Sequence, residues 1–212
     1  MPRVKQRTPE LRDRVLSVAV DVLSQDGVSG FTTRRVAQRA GTSVPAVYEL
    51  FTDKAGLVRA VYFEGFARLG RALAEVTETA DPVGDLQRVI PAFRRFCLDY
   101  PALARVMFSR PFQDFDPGPA ELAADPSVRS VLINKVRRCV DAGLLVGDTT
   151  DIAHVLLALA QGLAVQEGGR WLGKSPLSVD RRWEVGVSGL LRGFARDADA
   201  DRGTGDGQQQ RH

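Results

Sequence analysis

The chain has 212 residues, 44% of them hydrophobic and 26% charged, enough for one large domain or a small one joined to a medium one. No uninterrupted apolar run reaches the roughly 18 residues of a membrane span, and Met1-Pro2-Arg3-Val4-Lys5 lacks a signal peptide's apolar stretch, so the expected location is the cytoplasm. The net charge of +3 lies entirely in residues 1–52, where eight bases face five acids; a basic end on a neutral body suits a polyanionic partner, a solvated tail being the plain alternative.

The periodicity predicts an all-α protein. Apolar residues at Leu11, Val15, Ala19, Val22 and Leu23 give a helical stripe over Pro9 to Asp26, with Thr8 as cap and Gly27 as a left-handed stop. A short helix follows from Thr33 to Ala40, capped by Thr32 and ended by Gly41, with Val36, Ala37 and Ala40 facing inward. A third runs from Val44 to Leu50, capped by Ser43, with Pro45 in its first turn and Val47, Leu50 and Phe51 as its bulky face. Thr52 or Asp53 opens a long helix expected to reach about Ala80. Asp81-Pro82-Val83-Gly84 is a break.

Beyond the break the pattern predicts a helix from Asp85 to Asp99, kinked at Pro91, and a shorter one from Pro101 to Arg110. Residues 111–126, with four prolines and one glycine, read as a loop carrying Phe112 and Phe115. Helices are then expected from Asp125-Pro126 to Gly143, from Thr149 or Thr150 to Trp171, and from Asp180 to Arg196. The tail 197–212, rich in Asp, Gly and Gln, has almost nothing to bury and is expected to be disordered.

Two short helices joined by Gly41-Thr42 behind a longer amphipathic one have the layout of a helix-turn-helix. The second short helix is too small for a core of its own. Val47 and Phe51 hold it in place, which leaves its outer face and N-terminal amides for a groove and its phosphates. The run from Phe31 to Leu57, with Ala37, the Gly41 turn, the Tyr48-Glu49-Leu50-Phe51 pair and Asp53-Lys54, resembles the DNA-binding signature of TetR-family regulators over about residues 9–60.

That resemblance implies an N-terminal three-helix DNA-binding domain over 1–52 and a helical effector-binding and dimerisation domain over 53–196. It also implies DNA contacts by Thr33, Arg34, Thr42, Ser43, Val44, Pro45, Ala46, Tyr48 and Lys54. Val44 and Ala46 would read thymine methyls or fill space. Tyr48 is either a phosphate or base contact or a tyrosine packed at the helix junction, and Arg34 and Lys54 are otherwise solvated surface cations. Arg3, Lys5 and Arg7 resemble the basic arms of other DNA binders, or form a solvated tail. Tyr100-Pro101-Ala102-Leu103 and Met107-Phe108 are similar to one ligand-domain subgroup, from which Ala160-Gln161-Gly162 departs.

One short recognition helix reads too few base pairs for useful specificity, so a two-fold dimer on a palindrome is expected. Leu156, Leu159 and Leu163, with Val187, Leu190, Leu191 and Phe194, are its candidate interface, the family using the corresponding helices for a four-helix dimer contact. Phe93, Phe96, Met107, Phe108, Phe112 and Leu132 are candidates for an adaptable apolar effector pocket, core packing being the alternative.

Cys97 and Cys139 are far apart and in no metal-type spacing, so no disulfide framework, metal or cofactor is expected. His154 has no catalytic partner pattern, and there is no Gly-rich phosphate loop or paired carboxylate motif. The expectation is a transcriptional regulator, not an enzyme: a repressor released from its operator by a small apolar or amphipathic effector. The competing expectations are a helical small-molecule carrier or enzyme, and a regulator answering to thiol redox or a protein partner.

Overall fold

The computed structural model describes residues 8–109, 112, 115, 118 and 127–196. Among them nine helices form: α1 (Pro9–Gly30), α2 (Thr33–Arg39), α3 (Val44–Phe51), α4 (Lys54–Ala74), α5 (Pro82–Asp99), α6 (Pro101–Ser109), α7 (Ser127–Asp141), α8 (Thr149–Gly168) and α9 (Pro176–Phe194). An antiparallel bridge between Leu145 and Ala195 is the sole strand-like pairing described. No helix among these residues is long and apolar enough to cross a membrane. The expected tail 197–212, the arm residues Arg3, Lys5 and Arg7, and most of the loop 111–126 lie outside the described residues.

Side-chain caps fix the starts of the first helices. Thr8 accepts from the Leu11 amide, Thr32 from Arg35 and Ser43 from Ala46, each at 3.3 Å. Each such cap satisfies an amide with no partner inside the helix and contributes about 1 kcal/mol. Gly27 takes φ 67° and interrupts α1 as expected, but one further turn follows before the buried Phe31. Gly41 at φ 64° makes the turn between α2 and α3.

The turn into α4 is tighter than its sequence suggests. Thr52 sits at φ 69°, and the Asp53 carboxylate caps α4 by accepting from the Gly56 amide at 2.7 Å. A Cβ on Gly56 would stand 1.8 Å from the Phe51 carbonyl oxygen, so only glycine fits there.

Several helix ends differ from expectation. α4 stops at Ala74 rather than near Ala80, because the chain turns to deliver Thr79 to Asp85. Asp81 then caps α5 through the Gly84 amide, so α5 begins at Pro82 rather than Asp85. α5 carries Pro91 inside one continuous helix and ends at Asp99, as expected. α8 starts at Thr149 as expected, capped by Asp148, and ends at Gly168 instead of Trp171. α9 starts four residues early, at Pro176, because Ser175 and Ser178 form a reciprocal capping box.

α4 runs from the small N-terminal helices into the body, burying Leu57, Val58, Val61, Tyr62, Leu69 and Leu73. It packs there on α5, α6 and α7, while α1 also touches α6. Among the described residues three polar ones are buried: Thr33, Asp85 and Lys135. The Lys135 ammonium donates to the Val76 carbonyl at 3.1 Å, and Asp85 is held by Thr79, Arg88 and Arg138. Burial pushes the Asp85 carboxyl up, but the two Thr79 bonds and the Arg138 and Arg88 cations outweigh it and hold the group well below the usual carboxylate range.

Candidate nucleic-acid interface

α1, α2 and α3 share one core of Val15, Ala19, Val22, Leu23, Phe31, Val36, Ala37, Val47 and Phe51, all buried. Val47 and Phe51 are the α3 residues that reach fully into it, with Val44 and Leu50 packed at its edge. The opposite face of α3 carries Ser43, Pro45, Tyr48 and Glu49 into solvent. Tyr48 is 42% exposed, so it is not packed away at the helix junction. Lys54 is exposed at the start of α4, with its ammonium 5.8 Å from the Phe112 ring centroid.

Next to this face, α2 presents a concave surface of about 550 Å³ lined by Thr32, Arg34, Arg35, Gln38 and Arg39. Arg34 is exposed with no carboxylate partner among the described residues. Arg35 pairs with Asp26 at 2.9 Å, and Arg39 bonds Gln25 at 2.9 Å while lying 3.6 Å from Asp26. These pairs hold two guanidinium groups in place while partly offsetting their charge. Arg35, Gln38 and Arg39 belong to this surface although sequence reasoning passed over them. Their spacing, one α-turn apart on the exposed side of a seven-residue helix, was the available signal.

Thr33 lies differently from the expectation. It is only 6% exposed and has little surface to offer a phosphate. Thr42 is half-buried, with a hydroxyl that has no hydrogen-bond partner. The Ser43 hydroxyl is exposed but already engaged as the α3 cap.

The seven residues expected at a dimer interface divide. Leu156, Val187 and Leu191 are consumed in the chain's own core, since α8 and α9 turn one side toward each other and the body. Leu159, Leu163, Leu190 and Phe194 are half-buried. On the outside beside them lie Ala158, Gly162 and Gly189, with Val155 at 44% and Val185 at 59% exposure. An apolar surface of this kind is what a second chain would cover. Sequence periodicity located the two helices but not which of their apolar sides faces out.

Among the described residues, the cavities do not gather the six candidate effector-pocket residues together. Phe93, Phe96, Met107 and Leu132 are buried in the core, and the void touching Phe93 and Leu132 is only about 10 Å³. Phe112 stacks edge-on against Phe31 at 5.5 Å. Phe108 alone of the six lines a sizeable cleft, one of about 330 Å³ between α5, α6 and the end of α8. Interdigitated aromatic pairs fill the space that an open box would need.

Both thiols are buried and unpaired. Burial, with the Glu167 charge second, pushes Cys97 up to about 12, and burial also raises Cys139. Neither holds the thiolate that redox chemistry needs. His154 Nδ1 lies 2.8 Å from the Thr150 carbonyl, and no cluster of three His, Cys, Asp or Glu side chains gathers among the described residues.

Residues 15–61 match the family model described as bacterial regulatory proteins, tetR family. Residues 86–190 match the tetracyclin repressor-like C-terminal domain. A nucleoid occlusion factor SlmA from Aliivibrio fischeri is 30% identical over 106 residues, covering 48% of this chain and 53% of that protein. The tetracycline repressor protein class C of Escherichia coli is 29% identical over 150 residues, or 70% of this chain and 61% of the repressor. The chain thus spans a little over half the length of these curated relatives. A solved Rhodococcus sp. RHA1 protein of unknown function covers 92% of this chain and 100% of its own, at TM-score 0.73 and 25% identity.

Proposed function

The chain belongs to the TetR family of bacterial regulatory proteins, and from that premise we propose that it is a homodimeric, ligand-responsive transcriptional repressor of the cytoplasm, not an enzyme. Residues 1–52 would read DNA and residues 53–196 would bind effector and partner. The observation that carries this is the exposed face of α3 beside the cationic surface of α2. Val47 and Phe51 fix the helix from behind, leaving Ser43, Pro45 and Tyr48 outward with Arg34 and Lys54 on either side.

Arg34 and Lys54 supply phosphate contacts, which position the protein without reading sequence. Tyr48 reaches a phosphate or base edge. Val44, Pro45 and Ala46 carry no side-chain donors, so base discrimination rests on thymine methyls and on groove shape. Thr42 and Ser43 add hydroxyl and backbone contacts at the α3 N-terminus, and Thr33 contributes by shaping α2.

Effector response has a physical route in α6. That helix touches α1, lines the 330 Å³ cleft, and is followed by Phe112, which lies against Phe31 of the N-terminal core and under Lys54. A ligand that favours one placement of α6 would thereby favour one placement of the DNA-reading helices.

Selection of bound fragments from a random DNA pool tests the reading. A palindrome should be recovered, and its affinity should fall steeply with salt as phosphate-bound counterions are released. Lys54→Ala should weaken binding on every sequence and lower the salt slope by about one, while Tyr48→Ala should weaken it and blur selection near the contacted step. Recovery of no enriched sequence, or binding indifferent to salt, would sink the proposal in favour of a carrier or enzyme on this scaffold.

A further inference from the structure

We propose that the cleft between α5, α6 and the end of α8 is a binding site for a small planar aromatic acid, its ring against Trp171 and its carboxylate on Arg105. The cleft holds about 330 Å³, within the range of small-molecule sites. Its walls are apolar where Cys97, Ala104, Phe108 and Val165 line it. Cys97 is held neutral by burial, so it adds a small nonpolar surface rather than a charge.

Two lining residues are out of keeping with an idle surface. Trp171 is 79% exposed although its backbone is tightly fixed: its amide donates to the Gln166 carbonyl at 2.8 Å, and Arg170 before it takes φ 60°. A bulky side chain in the left-handed region is strained, and here the strained turn holds a large indole in water. Gly168 and Gly169 open the space beside it; a Cβ on Gly168 would meet nothing within 4 Å. Among the described residues, Arg105 is the one cation lining the cleft, no carboxylate lines it, and Arg105 has no acidic partner.

The larger groove between α5 and α9, about 690 Å³, shows the contrast. There Arg94 is already bound to Glu167 and Asp180, each at 2.7 Å, and Arg95 to Asp99 at 2.8 Å. An incoming anion would have to displace a carboxylate in that groove but not in the cleft. A guanidinium recognises a carboxylate through two parallel bonds, and an indole face takes a flat ring. Together they select an aromatic acid over its neutral analogue.

This inference rests on the effector reading above for its regulatory sense, and the experiment separates the two. Calorimetry on the full chain would compare 2-naphthoate with 2-naphthamide. Naphthoate should bind saturably and about tenfold or more tighter than the amide. Arg105→Gln should bring naphthoate down to the amide's affinity and leave the amide unchanged. Trp171→Ala should weaken both, with the melting temperature held in each variant because both side chains are exposed. Equal affinity for the two probes, no binding of either, or indifference to both substitutions overturns the site. So does a Trp171→Ala variant that binds normally but dissociates as a dimer in sedimentation, since the indole would then be a partner contact. Tight naphthoate binding that leaves operator affinity unchanged keeps the site and breaks only its link to DNA.

Discussion

The N-terminal helices and the body are held by interactions of different reach. In α1 to α4 the capping bonds join residues three apart: Leu11 to Thr8, Arg35 to Thr32, Ala46 to Ser43 and Gly56 to Asp53. The core behind them is purely apolar apart from Thr33. In the body, hydrogen bonds from charged side chains span much longer stretches of chain. Arg138 reaches Asp85 across 53 positions, Lys135 reaches Val76 across 59, and Arg94 reaches Glu167 across 73. The N-terminal part is thus a small module set by local rules. The body is a set of helices tied into one arrangement by charged side chains, so a change at one tie reaches several helices.

Removing an apolar anchor from the local module should have the largest effect. Phe51 is 5% exposed, with the Arg12 guanidinium 5.0 Å from its ring centroid. Phe51→Ala should cost about 3–5 kcal/mol through lost transfer energy and the cavity left behind. Operator binding should vanish at temperatures where the body still gives a helical circular dichroism signal. Simultaneous loss of both signals would mean that module and body unfold as one, breaking the comparison.

Cutting an ionic tie in the body comes next. Asp85→Asn leaves the Arg88 and Arg138 cations without their shared carboxylate, so the melting temperature at pH 7 should fall. The sign of the pH dependence follows from the depressed Asp85 pKa. Its stabilisation is full above the unfolded carboxyl value of about 4 and is lost progressively as pH falls from there toward the depressed folded value. The gap between wild type and variant should therefore narrow on acidification from pH 5 through pH 3. A gap that stays constant across that window would show the ionic tie to be dispensable.

A cap deletion should have the smallest effect. Ser43→Ala removes the acceptor for the Ala46 amide and should cost about 1 kcal/mol. Denaturant titration of the variant should show a lowered midpoint with an unchanged slope. A cost above that of Phe51→Ala would mean that the cap, not the core, holds α3 in place.

The same contrast explains how much was legible in the sequence. Thr8, Thr32 and Ser43 could be read as caps and Gly27 and Gly41 as turns because each acts on residues within one helical turn. The outward face of α3 followed from Val47 and Phe51 in the same way. Buried Thr33 escaped, since nothing local tells a solvated helix start from a buried one. In the body, the early end of α4 depends on Asp85 gathering Thr79, Arg88 and Arg138, a partnership formed only in three dimensions. That Leu156 and Leu191 are buried within this chain was hidden for the same reason. Periodicity shows that a helix has an apolar side but not how many neighbours compete to cover it.

The crowded junction at Gly56 has a mechanical consequence. With no room for even a methyl group between α4 and the Phe51 carbonyl, the end of α3 and the start of α4 form a rigid elbow. The 21 residues of α4 then act as a lever arm roughly 30 Å long. By small-angle geometry on that arm, a tilt of about 6° at its far end moves the elbow by some 3 Å, close to the ~3.4 Å rise of one base pair. Two such levers in a dimer, swinging in opposite directions, would shift the recognition helices out of register with successive major grooves while every bond inside each module stayed intact.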